Sequence, residues 1–157
     1  MTRILIYKSK RLLCVEQDGA VVFSARIGLG PMPAGAKCAE GDGRTPEGVY
    51  CICTKNAFSK YTLFLGISYP SANDAMKAFQ SGFISPEQLK AIQDAQKAGA
   101  RPPWNTPLGG EIGIHGGGVI VNHTLKDNTA GCAALLDDDM RRLWGLAEIG
   151  TQVVIHP

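Results

Sequence analysis

Apolar and polar positions alternate over short spans through the first half of the chain. Arg3–Tyr7, Arg11–Val15 and Val21–Ser24 are brief runs rich in apolar and β-branched residues. Lys8-Ser9-Lys10 and Gln17-Asp18-Gly19 break them with turn-forming residues. This spacing predicts a β-meander. Gly28–Gly48 is dense in glycine and proline and predicts an irregular loop. Strand pattern resumes at Val49–Thr54 and again at Tyr61–Ser68, where Tyr69-Pro70 stops it, because proline has no N–H to give a sheet ladder.

Beyond residue 70 the spacing turns helical. Asn73–Gln80 predicts a short helix closed by Gly82. Ser85-Pro86-Glu87-Gln88 predicts a second helix start: serine caps, proline suits the first helical position, and Gln88 completes a capping box. Leu89, Ile92 and Ala95, with Ala91, make a narrow apolar stripe, and Gly99 fits the stop. Arg101–Gly110, with three prolines around Trp104, predicts a loop. Glu111–His115 reads as strand, followed by a glycine-rich turn. Asp137-Asp138-Asp139 can cap a final helix in which Met140, Leu143, Trp144 and Ala147 face inward, ended by Gly150. Thr151–Ile155 forms a closing strand. Many strands, few helices and no βαβ rhythm predict a mainly β architecture. With no repeat and no linker, residues 1–157 are expected to form a single domain.

Composition narrows this picture. A chain of 157 residues with 45% hydrophobic and 19% charged positions is of globular type, long enough to bury a core unaided. A net charge of +2 without a Lys/Arg run argues against a nucleic-acid partner. No apolar stretch approaches the ~20 residues of a membrane span. Met1–Lys8 is too short and interrupted for an export signal, so the chain is expected either to work in the cytoplasm or to have been trimmed of that signal. The five cysteines leave at least one thiol unpaired. Cys51 and Cys53, two apart in a strand, share a face; that spacing suits packing, and reduced thiols are expected throughout.

Two segments carry candidate chemistry: Ile112-Gly113-Ile114-His115-Gly116-Gly117-Gly118 and Asn128-Thr129-Ala130-Gly131-Cys132-Ala133-Ala134-Leu135. A strand ending in His-Gly presents an imidazole at a sheet edge beside open backbone. A Gly-Cys pair after a turn lets the main chain approach a substrate carbonyl. A thiol needs a base to become an attacking thiolate, and imidazole is the usual one. The Cys132 N–H can then stabilise an oxyanion. His123 competes with His115 for the role of base, and a zinc site from His115, His123 and Cys132 is a further reading with unfamiliar ligand spacing.

These segments, taken with others in order along the chain, resemble the L,D-transpeptidase catalytic domain of the YkuD type, most closely the branch founded by YafK. Glu40-Gly41-Asp42-Gly43-Arg44-Thr45-Pro46-Glu47-Gly48-Val49-Tyr50 resembles that branch's Thr-Pro-x-Gly strand entry. Leu65–Pro70 matches its next strand, Ile114-His115-Gly116 its His-Gly element, and Thr129-Ala130-Gly131-Cys132 its Ser/Thr-x-Gly-Cys element; Asp139 through Ile155 matches the last helix and strand. Ala130 and Ala134 depart from it, standing where many relatives carry His and Arg or Asn. The resemblance implies a sandwich- or barrel-like β fold in which segment 71–110 is an insertion able to cover the cleft. It implies a Cys132 nucleophile acting on peptidoglycan stem peptides, His115 as base, and the Gly116 carbonyl orienting the imidazole, with no metal or organic cofactor and no need of Asp127. Hydrolysis of the same bond by water and a non-catalytic binding module are the competing expectations, together with a cytoplasmic thiol hydrolase acting on recycled muropeptides. Gly131 joins the expected oxyanion and substrate contacts, and Thr129 either donates a hydrogen bond to substrate or holds the turn. Arg44 either grips a substrate carboxylate or pairs with Glu40, Asp42 or Glu47. Tyr69 and Trp104 either line the cleft or serve packing and loop anchoring.

Overall fold

In the computed structural model, which describes residues 1–157, the apolar runs of the first half pair in the order they occur. β1 (Thr2–Tyr7) and β2 (Leu12–Gln17) run antiparallel, with Ile4 opposite Val15 and Ile6 opposite Leu13. β3 (Ala20–Arg26) continues the meander. The alternation then delivers Ile4, Ile6, Leu13, Val15, Phe23 and Ala25 to one buried core. β10 (Gln152–His156), from the far end of the chain, inserts parallel to β1 and antiparallel to β4 (Gly48–Ser59).

β5 (Thr62–Ile67), β6 (Gly113–His115) and β9 (Ala133–Ala134) complete an eight-stranded sheet in the order β3-β2-β1-β10-β4-β5-β6-β9. The sheet curls back on itself. Gly28, just past β3, bridges antiparallel to Ala134 of β9, with Gly28 N–H donating to Ala134 O at 2.9 Å and Ala134 N–H to Gly28 O at 2.8 Å. No side chain fits at Gly28, because a Cβ there would lie 2.3 Å from Lys126 O. The mainly β, barrel-like expectation therefore holds.

α1 (Ala72–Gln80) starts at a Ser71–Asp74 capping box, and α2 (Pro86–Lys97) at the expected Ser85–Gln88 box. Ala75, Ala78, Leu89 and Ile92 add to the main core, whereas Ala91 is exposed and lies outside the stripe. α3 (Asp137–Leu146) buries Met140 and Leu143. No helix is long and apolar enough to cross a membrane.

Several boundaries differ from the sequence pattern. β4 runs on to Ser59, past register irregularities at Ile52/Thr54 and Asn56/Ser59. β6 begins only at Gly113, because Glu111 takes φ +55°, outside strand geometry. A small hairpin, β7 (Ile120–Val121) and β8 (Thr124–Leu125), rises where only a turn was expected. Leu136, not an aspartate, is the N-cap of α3 and has no polar side chain to cap with, while the Asp137 carboxylate is engaged outside its own helix by Thr62 and Gly117. The helix ends at Leu146, and Gly150 belongs to the following turn. All five cysteines are free thiols.

Candidate active site

Parallel pairing of β6 with β9 sets Ile114 beside Ala133 and His115 beside Ala134. Counting back one rung sets Gly113 beside Cys132. Side chains alternate along a strand, so Cys132 and His115 share a face, two residues apart along the ladder, or roughly 6.6 Å. Both are enclosed: Cys132 is 8% and His115 5% exposed.

The thiol has two neighbours. Gly113 N–H donates to Cys132 Sγ at 3.4 Å, and the S–H points toward Glu111 O at 3.5 Å. Burial pushes the thiol up to about 11, against which the Gly113 N–H works. The imidazole is held by its other edge, with Nδ1 2.6 Å from Gly116 O. Its face stacks on Tyr61, the centroids 4.3 Å apart, with Phe64 further out at 6.4 Å. Burial lowers the histidine below its ordinary value, opposed by the Gly116 hydrogen bond. At rest the thiol and the imidazole on this shared face are both neutral, and the bound carbonyl leaves Nε2 as the acceptor of a proton.

The turn before the cysteine is tightly specified. Thr129 Oγ1 donates to Cys132 O at 2.8 Å and accepts from Gly131 N–H at 3.1 Å. Its only proton is spent on the main chain, so here Thr129 holds the turn, one of the two roles expected of it. Gly131 has φ +132°, and a Cβ there would lie 2.6 Å from Arg44 O. Outside the turn, Asp127 receives Leu29 N–H at 2.8 Å and the Arg11 guanidinium at 2.7 Å, tying the segment back to the meander. No protein acceptor takes the Cys132 N–H.

The remaining candidates separate. Tyr69 is fully buried, its hydroxyl on Leu108 O at 2.8 Å, so it is a core residue and not part of a cleft. Trp104 anchors its loop by donating from Nε1 to Tyr69 O at 3.1 Å, with Arg101 stacked on its ring. Arg44 forms no ion pair, since Asp42 is matched to Lys37 and Glu47 to Lys8; its guanidinium lies beside Gly35. His123 sits exposed at the tip of the β7–β8 hairpin, where φ of +52° at Asn122 and +67° at His123 close the turn. His115, His123 and Cys132 do not gather as a metal-holding cluster.

A cavity of about 410 Å³ lies elsewhere, between Lys37, Cys38, Glu47, α1 and Leu108, and is lined by neither Cys132 nor His115. The sequence pattern missed two contributors to the pair's surroundings, Tyr61 and Asp137. Tyr61 carried no signal in its run of strand residues, and the Asp137–Asp139 triplet read as a helix start.

Residues 1–155 match the family model YkuD, L,D-transpeptidase catalytic domain. Among solved structures, the helical cell shape determining protein Pgp2 from Campylobacter jejuni is 22% identical with a TM-score of 0.65; the match covers 99% of this chain and 47% of that one. Bd1075 of Bdellovibrio bacteriovorus is 21% identical with a TM-score of 0.63, covering 99% and 47%. The catalytic domain of the Enterococcus faecium L,D-transpeptidase is 16% identical with a TM-score of 0.57, covering 99% and 97%. The chain thus spans about half the length of the first two. No curated protein matches it significantly.

Proposed function

The chain belongs to the family of L,D-transpeptidase catalytic domains, and from that premise we propose that it transfers acyl groups of peptidoglycan stem peptides through Cys132. The observation that carries this reading is the placement of Cys132 and His115 on one face of two adjoining parallel strands, with Nδ1 committed to Gly116.

The steps follow from that geometry. Sγ attacks the carbonyl of the stem's third residue, and the thiol proton passes to His115 Nε2. The Cys132 N–H, free of protein acceptors, faces the charge that develops on the carbonyl oxygen. The carbon–nitrogen bond to the terminal D-alanine breaks, and imidazolium returns its proton to the departing amine. A thioester remains on Cys132. An amine of a second stem then attacks it, losing a proton to His115; the carbon–sulfur bond breaks, the Cys132 thiolate recovers that proton from the imidazolium, and a cross-link forms. Water in place of that amine makes the protein an L,D-carboxypeptidase or endopeptidase. A substrate of this kind puts the site of action in the cell envelope. Arg44 has no carboxylate partner in the chain, and its planar guanidinium is of the kind suited to a stem carboxylate. The chemistry needs no metal or organic cofactor.

The test is intact mass after incubation with a tetrapeptide stem and, separately, with a carbapenem. The parent should gain a covalent adduct that Cys132→Ala lacks, and His115→Ala should acylate roughly 10²–10⁴-fold more slowly. Free D-alanine with a cross-linked dimer indicates transfer, and without one, hydrolysis. No adduct and no product from any stem would overturn the reading in favour of a binding module.

A further inference from the structure

The peptide group joining Gly116 to Gly117 is held at both ends. Its carbonyl oxygen lies 2.6 Å from His115 Nδ1. Its N–H donates to Asp137 Oδ1 at 2.8 Å. A carboxylate at the N–H end of an amide polarises the group and strengthens its oxygen as an acceptor. We propose that Asp137 is a positioning residue for the reaction, acting on His115 through the Gly116–Gly117 peptide. It holds the imidazole in the Nδ1–H form, leaving Nε2 to take the thiol proton, and it supports the imidazolium that results. The inference rests on the reading of His115 as base.

The surroundings of Asp137 are built for this contact. Its Oδ1 also receives the Thr62 hydroxyl at 2.8 Å. Thr62 reaches it from φ +75°, a conformation costly for a β-branched residue. Gly116 has no room for a side chain, because a Cβ would lie 2.5 Å from Asp137 Oδ1 and 2.8 Å from Tyr61 O. A residue serving only its own helix would cap it; here the N-cap is the bare Leu136 backbone, and the carboxylate points instead at the glycine loop. The Gly117 N–H and the Thr62 hydroxyl hold the Asp137 carboxyl below its ordinary value, so it is ionised at neutral pH. In the familiar Ser-His-Asp arrangement a carboxylate touches the imidazole directly; here one amide stands between them.

Two variants separate charge from shape. Asp137→Asn keeps an oxygen for Gly117 and Thr62 but removes the charge. Asp137→Ala removes both. Nitrogen-15 spectra of the full chain read the tautomer and titration of His115, and intact mass reads the rate of carbapenem acylation across concentration and pH. The parent should show the Nδ1–H form. Asp137→Asn should keep that form but titrate at lower pH than the parent. Asp137→Ala should mix the tautomers and lower the saturating acylation rate roughly ten- to a hundredfold, with half-saturation unchanged. Tautomer, titration and rate all equal to the parent in Asp137→Asn, and in Asp137→Ala if it folds, would overturn the proposal. If the parent itself takes no acyl group, the functional reading falls, while the His115 spectra still decide the role of Asp137.

Discussion

At the scale of single residues the pair is poised, not charged. Burial raises the Cys132 thiol to about 11 and lowers His115, so in the proposed reaction a proton must move as Sγ attacks. Alkylation by iodoacetamide, followed by intact mass and peptide mapping, should therefore reach exposed Cys38 first. The rate at Cys132 should be slow at pH 7 and climb through about pH 11 with no plateau near neutrality; a plateau there would indicate a preformed thiolate–imidazolium pair. His115 and Cys132 were both legible in the sequence, because His-Gly and Gly-Cys are chemical signatures as well as backbone ones. Tyr69 and Thr129 were not, because aromatic residues and hydroxyls serve cores and turns as readily as ligands, and only their partners decide. Asp137 misled for a related reason: three aspartates before an apolar helix look like caps, and nothing in the sequence shows that the first of them reaches across to Gly117.

At the scale of elements, strand order brings the chemistry together. β6 is three residues long and β9 two, yet their parallel register fixes both side chains on one face. Asp127 steadies the turn that feeds β9 by joining Leu29 N–H and Arg11. Asp127→Ala should cost about 2 kcal/mol, since it strands a backbone donor and a guanidinium, read as a lower midpoint in urea. The meander, the α2 capping box and the closing strand were legible because each has its own periodicity or punctuation. β7 and β8 were not: Val119, Ile120 and Val121 are all exposed, so the hairpin lacks the in-and-out alternation that marks a strand, and only its Asn122-His123 backbone makes the turn.

At the scale of the whole molecule, the curled sheet is fastened where its ends meet. Gly28 pairs with Ala134 at one seam. Nearby, Lys8 runs from the end of β1 into the long glycine-rich loop, 2% exposed, and binds Glu47, Thr45 O and Gly35 O at 2.9, 3.0 and 2.7 Å. Lys8→Met fits the space but leaves Glu47 and two carbonyls without their cation. It should cost about 3 kcal/mol, measured by thermal unfolding, and loosen the loop that backs Gly131. The loop's irregularity was plain from its glycines and prolines, but its order was not, because a single lysine distant in sequence supplies it.

The rung that joins His115 to Ala134 also has an evolutionary meaning. The ladder works as a ruler: it measures the separation of His115 and Cys132 in strand units, independently of how much chain lies between them. Residues 117 to 131 leave one strand and return to its neighbour, and the ruler reads the same whether that excursion is long or short. Insertions and deletions at the β7–β8 tip thus leave the rung untouched, and this chain can trade hairpins without resetting the spacing of His115 and Cys132.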